Sequence, residues 1–287
     1  MDIRVGFVGL GNIGLPMARR LVGAGLDTVV FDLREEPCRK LEEAGARIAP
    51  SCADLARDAD VIGVCVRDDA DIREVALGPD GLVDNAKAGA VLALHSTILP
   101  GTVREVAEQA SERRVGVVDA TVTGGAAGAQ QGTLTYMVGG DEELVERCRP
   151  LFETSAAKIV HTGPLGTGAT TKLCHSIMTY LGFLAGFEAT LLAQHAGIST
   201  EALEEVTSSS GVMNDNTLAL MRVRRVAEGM PDDAELQTML RNFADLAEKD
   251  LALALEFARQ EGVAIPGAEL CKQLMPLVYG VTDEKPR

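Results

Sequence analysis

The sequence predicts an α/β protein, with a doubly wound sheet in its N-terminal part and an all-helical C-terminal part joined to it by a long helix. Up to about residue 163, short apolar runs rich in β-branched residues alternate with helical periods, which is typical of a parallel sheet covered on both faces. Beyond residue 197 only helical periods occur. We therefore expect two domains, at 1–163 and 164–287, for which 287 residues are sufficient.

The first strand is predicted at 3–8, an almost continuous apolar run that leads into the motif GLGNIG at 9–14. A GxGxxG motif alone is weak evidence for a ligand. Here a helical pattern follows at 17–24, and a second strand at 28–31 ends in Asp32, about twenty residues after the motif. Strand, glycine turn, helix and acidic strand end together predict a Rossmann domain that binds a dinucleotide.

The residue types in this turn suit a bound pyrophosphate. Gly9 allows the tight turn, Gly11 lets the backbone approach the phosphates, and Gly14 lets the helix pack closely on the strand. Asp32 can accept hydrogen bonds from both adenosine ribose hydroxyls and would repel a 2′-phosphate, so we expect NAD, although Arg34 leaves NADP open. A glycine turn without a ligand is the structural alternative. The predicted cofactor contacts of this segment are Gly9, Gly11, Asn12, Ile13, Gly14 and Asp32.

The alternation continues, with further strands expected at 47–49, 61–66, 91–94, 115–120, 133–138 and 158–160 and helices at 37–44, 71–77, 103–113 and 142–152. Ligands of such sheets bind beyond the carboxyl ends of the strands. Among the residues that follow these strands are Thr97 and three for which we predict contacts: Cys65 and Val66 with the cofactor and Ser96 with the substrate.

The strand expected at 115–120 leads into a hydroxyl residue and two glycines, Thr123-Gly124-Gly125. A side-chain hydroxyl and backbone amides at these positions can converge on an anion, such as a substrate carboxylate. A structural turn explains the two glycines equally well. We predict all three as substrate contacts.

The long helical period between residues 163 and 197 divides the two regions. Its apolar residues recur at helical spacing and the rest of its surface is small and weakly polar, so we expect it to be buried on most sides. Lys172 lies near its first turns, with His175 and Ser176 one turn on along the same face. We predict Lys172 as a catalytic acid/base, assisted by His175 and Ser176; a structural lysine is the alternative. Cys174 is expected to be a small buried hydrophobe.

Four further helices are expected in the C-terminal region, from Ser199 as N-cap to 206, at 218–227, at about 235–260, and after Pro266. This region carries no cofactor motif of its own. We expect it to shape the substrate pocket and to bury apolar surface between subunits.

Composition excludes several classes of protein. A formal net charge of −15 without a cluster of Lys and Arg argues against a nucleic-acid partner. The six cysteines lack metal-ligand spacing, which predicts free thiols in a reducing cytoplasm and no metal site. The N-terminus lacks a signal-peptide pattern, and the longest apolar run, within 177–193, is interrupted by Glu188. We expect a cytoplasmic protein with no membrane partner.

Five ordered motifs resemble the β-hydroxyacid dehydrogenase family, which includes 3-hydroxyisobutyrate dehydrogenase, semialdehyde reductases and, more distantly, 6-phosphogluconate dehydrogenase. They are GFVGLGNIGLPMA at the start, HSTILPG at 95–101, DATVTGGAAGAQQGTLTYMVGG at 119–140, GPLGTGATTKLCHS at 163–176 and KDLALALEFA at 249–258. The resemblance covers essentially the whole chain and is specific for the family, but it does not name the substrate.

Position by position, the resemblance implies roles for individual residues. Pyrophosphate would be bound by Gly9, Gly11 and Gly14, the ribose by Asp32, the rest of the cofactor by Thr97 and Lys249, and the substrate carboxylate by Thr123, Gly124 and Gly125. Lys172 matches the lysine that withdraws the hydroxyl proton as hydride leaves for the nicotinamide. The resemblance thus implies a small carboxylated 3-hydroxy acid or its semialdehyde, NAD or NADP, and a homodimer or homotetramer.

Two positions depart from the family pattern. Thr123 replaces the usual serine, which keeps the hydroxyl but narrows the site. Ser176 replaces the usual asparagine and cannot donate the same amide hydrogen bond, so we expect His175 to take that role or the substrate to differ.

Two other functions stay open. One is an imine reductase of the same architecture, against which the retention of Lys172 counts. The other is a nucleotide-binding module without turnover.

A catalytic lysine also requires a pKa well below the ordinary value of about 10.4, which burial can produce.

Overall fold

The computed structural model describes residues 3–282 of the chain. The chain divides into two compact units, Met1–Lys172 and Leu173–Arg287. The first contains every strand among the described residues, and the second is helical.

One eight-stranded sheet forms the centre of the first unit, in the order β3-β2-β1-β4-β5-β6-β7-β8. Its strands are β1 Arg4–Val8, β2 Asp27–Phe31, β3 Arg47–Ile48, β4 Val61–Val64, β5 Val91–Leu94, β6 Gly116–Thr123, β7 Leu134–Gly139 and β8 Ala156–Gly163. All neighbouring strands are parallel except β6 and β7, which are antiparallel. The predicted doubly wound sheet is confirmed.

Eight helices accompany these strands. They are α1 Gly14–Gly23, α2 Glu35–Glu42, α3 Cys52–Asp58, α4 Asp69–Leu77, α5 Leu82–Asn85, α6 Pro100–Glu112, α7 Gly125–Gln131 and α8 Glu142–Glu153. The sequence prediction missed α3, α5 and α7. Each spans at most two turns, so its apolar residues repeat too few times to show a helical period.

Strand β6 is longer than predicted. We expected it to end at residue 120, but it continues to Thr123, where it pairs with Thr135 of the antiparallel strand β7. Threonine and valine are β-branched and fit a strand, and the pairing with β7 satisfies the backbone of this extension. The predicted end was wrong by three residues, because residues 121–123 were counted among those that follow the strand.

Apolar side chains cover both faces of the sheet. Along β5, Val91 and Ala93 pack in one core cluster, whereas Leu92 and Leu94 pack in another. This alternation, with both faces apolar, is the burial expected of a parallel sheet between two helical layers. The carboxyl ends of the mutually parallel strands β1 to β6 lie along one edge of the sheet.

Five helices follow the sheet. They are α9 Thr167–His195, α10 Thr200–Ser209, α11 Asp215–Gly229, α12 Ala234–Gln260 and α13 Pro266–Tyr279. The predicted N-cap is confirmed, because the Ser199 side chain accepts a hydrogen bond from the Ala202 amide. The core of the second unit consists of aromatic and aliphatic side chains from α9 and α11 to α13.

Helix α9 is less buried than predicted. Met178 and Leu192 are 69% and 73% exposed, and Cys174, expected to be buried, is exposed as well. By length and composition α9 could cross a membrane, with a mean hydropathy of 1.4, and a third of its most apolar window is buried. Because Phe183, Leu184 and other residues of α9 belong to the core of the second unit, we interpret it as a core helix of that unit.

Candidate active site

The glycine turn after β1 leaves no room for larger residues at two of its positions. Gly9 has φ +90°, which favours glycine, and a Cβ there would collide with the carbonyl oxygen of Cys65. A Cβ at Gly14 would collide with the carbonyl oxygen of Gly9. The turn therefore packs closely against the end of β4 and the start of α1, as expected for a nucleotide-binding turn.

Gly11 is constrained differently, because a Cβ there would meet no protein atom within 4 Å. The protein itself does not require glycine at this position, whereas a ligand that approaches the backbone would. Asn12 is exposed and Ile13, the N-cap of α1, is half-buried and makes no side-chain capping bond. The three residues thus line an open start of α1, which fits a pyrophosphate.

Asp32, at the end of β2, is held in place beside this turn. Its Oδ2 accepts a hydrogen bond of 2.6 Å from the Leu10 amide, and its Oδ1 accepts bonds from the amide and the Nε of Arg34. Partial burial opposes ionisation of the carboxyl, but the hydrogen bonds from Arg34 and Leu10 outweigh it and lower the pKa of Asp32. An ionised acceptor at this place fits a ribose diol.

Arg34 turns back towards Asp32 in this structure. Its guanidinium also donates a hydrogen bond of 3.1 Å to the carbonyl oxygen of Leu10, yet 64% of its side chain is exposed. The same residue can therefore reorient towards solvent at little cost.

The loops after β4 and β5 are tied together by Ser96. Its hydroxyl donates to the carbonyl oxygen of Val66 at 2.8 Å and accepts from the Val66 amide at 2.9 Å. Ser96 is 4% exposed and its one hydroxyl proton is engaged, so in this structure it positions the loop of Cys65 and Val66. Its role as a substrate contact stays a prediction. Burial raises the pKa of the Cys65 thiol to about 12, so it stays neutral. Thr97, the next residue, is half-buried.

His95 is a buried residue to which the sequence prediction gave no role. Its Nδ1 lies 2.8 Å from the carbonyl oxygen of Ala120, so that nitrogen carries the proton, and its ring stacks on Phe7. Burial lowers the pKa of His95 to about 4. The neutral ring links the end of β5 to β6 from within the core.

The turn after β6 has the unusual backbone that its glycines allow. Gly124 has φ +120° and Gly125 has φ +62°, and both are exposed. Thr123, the last residue of β6, is half-buried beside them. The three residues therefore present a hydroxyl and two accessible backbone amides at the edge where ligands of this fold bind.

Lys172 reaches this edge of the sheet. Its Nζ donates a hydrogen bond of 2.8 Å to the carbonyl oxygen of Val122, the residue before Thr123. The side chain is partly buried. The structure thus brings together, within the first unit, the lysine and the glycine turn that the sequence predicted separately.

Asp119 is a further residue at this edge for which the sequence prediction missed a role. It is fully buried on β6, its Oδ1 accepts from the Gly166 amide at 2.8 Å, and its Oδ2 accepts from the Ala169 amide at 2.6 Å. Burial raises the pKa of Asp119, although the amide hydrogen bonds oppose this. An acidic residue inside an otherwise apolar strand was the available signal.

Ser176 and Lys249 lie in the second unit and share one partner. The Ser176 hydroxyl donates to Asp250 Oδ2 at 3.3 Å, and Lys249 Nζ lies 3.1 Å from Asp250 Oδ1. Ser176 is 2% exposed and its hydroxyl bonds to a buried carboxylate, and its membership of the catalytic group stays a prediction. His175, half-buried, has its Nδ1 3.4 Å from the Thr179 hydroxyl.

Metal ligands are not clustered in the part of the chain that the structure describes. Within residues 3–282, no group of three or more His, Cys, Asp or Glu side chains could hold a metal ion.

Two family models match the chain. The NAD-binding domain of 6-phosphogluconate dehydrogenase matches residues 4–163, and the NAD-binding region of NADP-dependent 3-hydroxyisobutyrate dehydrogenase matches residues 166–283. Together they span nearly the whole chain.

Relatives agree with these models. A probable mitochondrial 3-hydroxyisobutyrate dehydrogenase of Dictyostelium discoideum is 32% identical over 97% of this chain and 86% of its own length. The NAD-dependent L-serine dehydrogenase of Pseudomonas aeruginosa is 34% identical over 96% of this chain and 92% of its own. A solved structure of Mycobacterium tuberculosis 3-hydroxyisobutyrate dehydrogenase with L-serine covers 99% of this chain and 97% of that one, with 26% identity and a TM-score of 0.82. The chain therefore belongs to the β-hydroxyacid dehydrogenase family, in its 3-hydroxyisobutyrate dehydrogenase-like group, and is an NAD(P)-dependent oxidoreductase.

Proposed function

We propose that this protein oxidises a small 3-hydroxy acid, or reduces the corresponding aldehyde, with Lys172 as general acid/base. The observation that carries the proposal is the hydrogen bond from Lys172 Nζ to the Val122 carbonyl oxygen. Because Val122 precedes Thr123, this bond supports a position of the Lys172 amine close to Thr123 and the two exposed glycines, where a substrate carboxylate would be bound. A proton-transfer group and an anion site on one edge are what this reaction requires of the protein.

The cofactor would be held along the glycine turn of residues 9–14. When bound, a nicotinamide supplies the hydride acceptor or donor. The backbone near Gly11 would accommodate the pyrophosphate, and the carboxylate of Asp32 would accept hydrogen bonds from the adenosine ribose. Because this carboxylate repels a 2′-phosphate, we propose NAD as the preferred cofactor, with NADP accepted less well. Cys65, Val66 and Thr97 are proposed as neighbouring cofactor contacts.

Proton transfer would fall to Lys172. In the oxidation, the substrate hydroxyl gives its proton to the neutral amine; in the reduction, the ammonium returns it. The Val122 carbonyl holds Nζ in position between turnovers. The Thr123 hydroxyl and the amides of Gly124 and Gly125 would orient the substrate by its carboxylate, so that its hydroxyl meets the amine.

The helical region would complete the enzyme. We propose residues 1–163 as the dinucleotide-binding domain and 164–287 as the substrate and oligomerisation domain of a cytoplasmic homodimer or homotetramer. His175 and Lys249 are proposed ligand contacts, on the strength of the family resemblance alone. Ser176 is proposed to act indirectly, through Asp250.

A substrate screen with the purified full chain tests this function. NAD⁺ and NADP⁺ would each be offered with 3-hydroxyisobutyrate, L-serine and 3-hydroxypropionate, while NADH would be offered with a cyclic imine. We expect NADH formation with at least one hydroxy acid. Turnover with the cyclic imine alone would instead indicate an imine reductase. Binding of NADH without turnover in any arm would indicate a module that only binds the nucleotide.

A further inference from the structure

We infer that Asp119 is a positioning residue for Lys172: its buried carboxylate fixes the start of helix α9 so that the lysine amine meets the end of strand β6. The inference rests on the proposed acid/base role of Lys172. It assigns to Asp119 no contact with substrate or cofactor.

The carboxylate of Asp119 binds two backbone amides at the start of α9. Its two carboxylate oxygens accept hydrogen bonds from different backbone amides, Gly166 just before α9 and Ala169 in its first turn. Amides at a helix start have no acceptor within the helix, and a negative charge there is favourable. A fully buried carboxylate is costly unless it is so paired, and this pairing ties β6 to one fixed point of α9.

Lys172, one turn further along α9, contacts the same strand β6. Asp119 and Val122 are three residues apart on β6, about 10 Å along a strand. Ala169 and Lys172 are also three residues apart, but only about 4.5 Å along a helix. The lysine side chain spans the remaining distance to the Val122 carbonyl. Strand β6, the Asp119 carboxylate, the first turns of α9 and the Lys172 side chain therefore form a closed frame.

The start of α9 has little freedom to move against the strands at its other contacts. A Cβ at Gly168 would lie 2.6 Å from the Met137 carbonyl oxygen and 2.7 Å from the Asp119 carbonyl oxygen, so the helix lies directly against the strands. The Thr121 hydroxyl donates to the Gly168 carbonyl oxygen at 3.0 Å. A shift of α9 by one residue would move Lys172 by about 1.5 Å, enough to break its bond to Val122.

An amide at position 119 cannot replace the carboxylate. Asparagine offers one acceptor oxygen, and its NH₂ group would face the second backbone N–H, donor against donor. Asp119→Asn is thus expected to release one anchor of the helix start while the side-chain volume stays nearly constant. Since misplacement by about 1 Å can cost about 10²-fold in rate, this variant should slow the chemical step.

The test compares Asp119→Asn with Val145→Ala, which removes buried apolar volume from α8 in the same unit, in a core cluster that includes no residue of α9. With the hydroxy acid that the wild type turns over, we expect kcat of Asp119→Asn to fall roughly 10- to 100-fold. Its NADH affinity should stay within about twofold of the wild type. Val145→Ala should unfold at a lower urea concentration and keep its kcat. Equal kcat in the two variants would overturn the inference.

Thr121→Val is the second variant, because it keeps the shape of the side chain and removes one weaker anchor of the same helix start. We expect a smaller loss of kcat, about twofold to tenfold, again with unchanged NADH affinity. If Asp119→Asn does not fold, Thr121→Val tests the inference instead. A wild-type kcat in Thr121→Val would then overturn it.

A double-mutant cycle separates positioning from general damage. If Asp119 acts through the lysine, Asp119→Asn should cost at most about threefold in the Lys172→Ala background. A loss as large as in the wild type would overturn the inference. Failure of the proposed function gives a different result, since Lys172→Ala would then keep wild-type turnover.

Discussion

The carboxylate of Asp32 is the group that we expect to discriminate between NAD and NADP. It is held by Leu10 and Arg34, and its side chain is only 10% exposed. We expect Asp32→Ala to lower kcat/KM for NAD⁺ by on the order of 10²-fold, because bonds to a charged acceptor contribute about 1.5–3 kcal/mol each. NADP⁺ should lose less or gain, since the repulsion disappears and Arg34 is released to meet the phosphate.

Steady-state kinetics with both cofactors measures this ratio. Glu35→Gln is the matched control, since it removes a negative charge from the first turn of α2 without touching Asp32. An unchanged NAD⁺ to NADP⁺ ratio in Asp32→Ala would refute the ribose assignment.

A buried imidazole makes the stability depend on pH. Burial holds the pKa of His95 at about 4 against 6.5 in the unfolded chain, so the unfolded state takes up its proton first as the pH falls. The stability that neutral His95 provides is therefore complete above about pH 6.5 and is lost between there and pH 4. Between pH 7 and pH 5 the expected loss is about 2 kcal/mol.

Urea unfolding of the wild type and His95→Phe at pH 7 and pH 5 checks this value. The variant should lose about 2 kcal/mol less than the wild type between the two pH values. Parallel losses would show that His95 does not titrate as described.

Single residues could be named from the sequence where a motif contains them, but not where a buried partner decides their contacts. The hydrogen bonds of Ser96 to Val66 and of Ser176 to Asp250 were not predicted, because these partners lie far away in sequence. Asp119 was overlooked for the same reason, since its partners lie some fifty residues later. Such pairings depend on the tertiary fold, which no local pattern contains.

At the scale of one element, helix α1 offers an internally controlled test of the glycine turn. Gly14→Ala places a Cβ against the Gly9 carbonyl oxygen, so it should cost roughly 1–3 kcal/mol of stability and weaken NADH binding. At Gly23, on the same helix, a Cβ would meet nothing within 4 Å, so Gly23→Ala should be neutral or stabilise by up to about 1 kcal/mol. Urea unfolding and NADH fluorescence titration measure both effects. Equal behaviour of the two variants would contradict the described packing.

Elements were predictable in proportion to the number of periods they contain. The two long helices α9 and α12 and the buried strand β5 follow clear patterns in the sequence. The short helices α3, α5 and α7 do not, and the end of β6 was missed because its antiparallel partner supplies the hydrogen bonds that keep it extended. The burial of α9 was overestimated because apolar composition does not reveal which side faces solvent.

At the scale of the whole molecule, exposed apolar residues of the helical unit suggest contacts between subunits. Met239, Phe243 and Leu246 of α12 are 39%, 44% and 46% exposed and recur at helical spacing. We expect light scattering to show a dimer or tetramer, and Phe243→Glu combined with Leu246→Glu to shift it towards smaller species. Glu256→Gln, on an exposed site of the same helix, should leave the oligomer unchanged. A monomeric wild type would refute this proposal.

The order of the two regions, the dinucleotide motif and the candidate lysine were all predictable from the sequence, because each rests on local spacing. The placement of Lys172 on the Val122 carbonyl was not, because fifty residues separate the two. That placement came from the fold of one unit, in which β6 and the start of α9 lie side by side.

The most direct test of the account is the turnover of Lys172→Ala measured beside its affinity for NADH. If Lys172 transfers the proton, kcat with the hydroxy acid should fall by roughly 10²- to 10⁴-fold. NADH affinity should stay within about twofold of the wild type, because the glycine turn and Asp32 are untouched. Near-normal turnover in this variant would contradict the assignment of Lys172 as the acid/base.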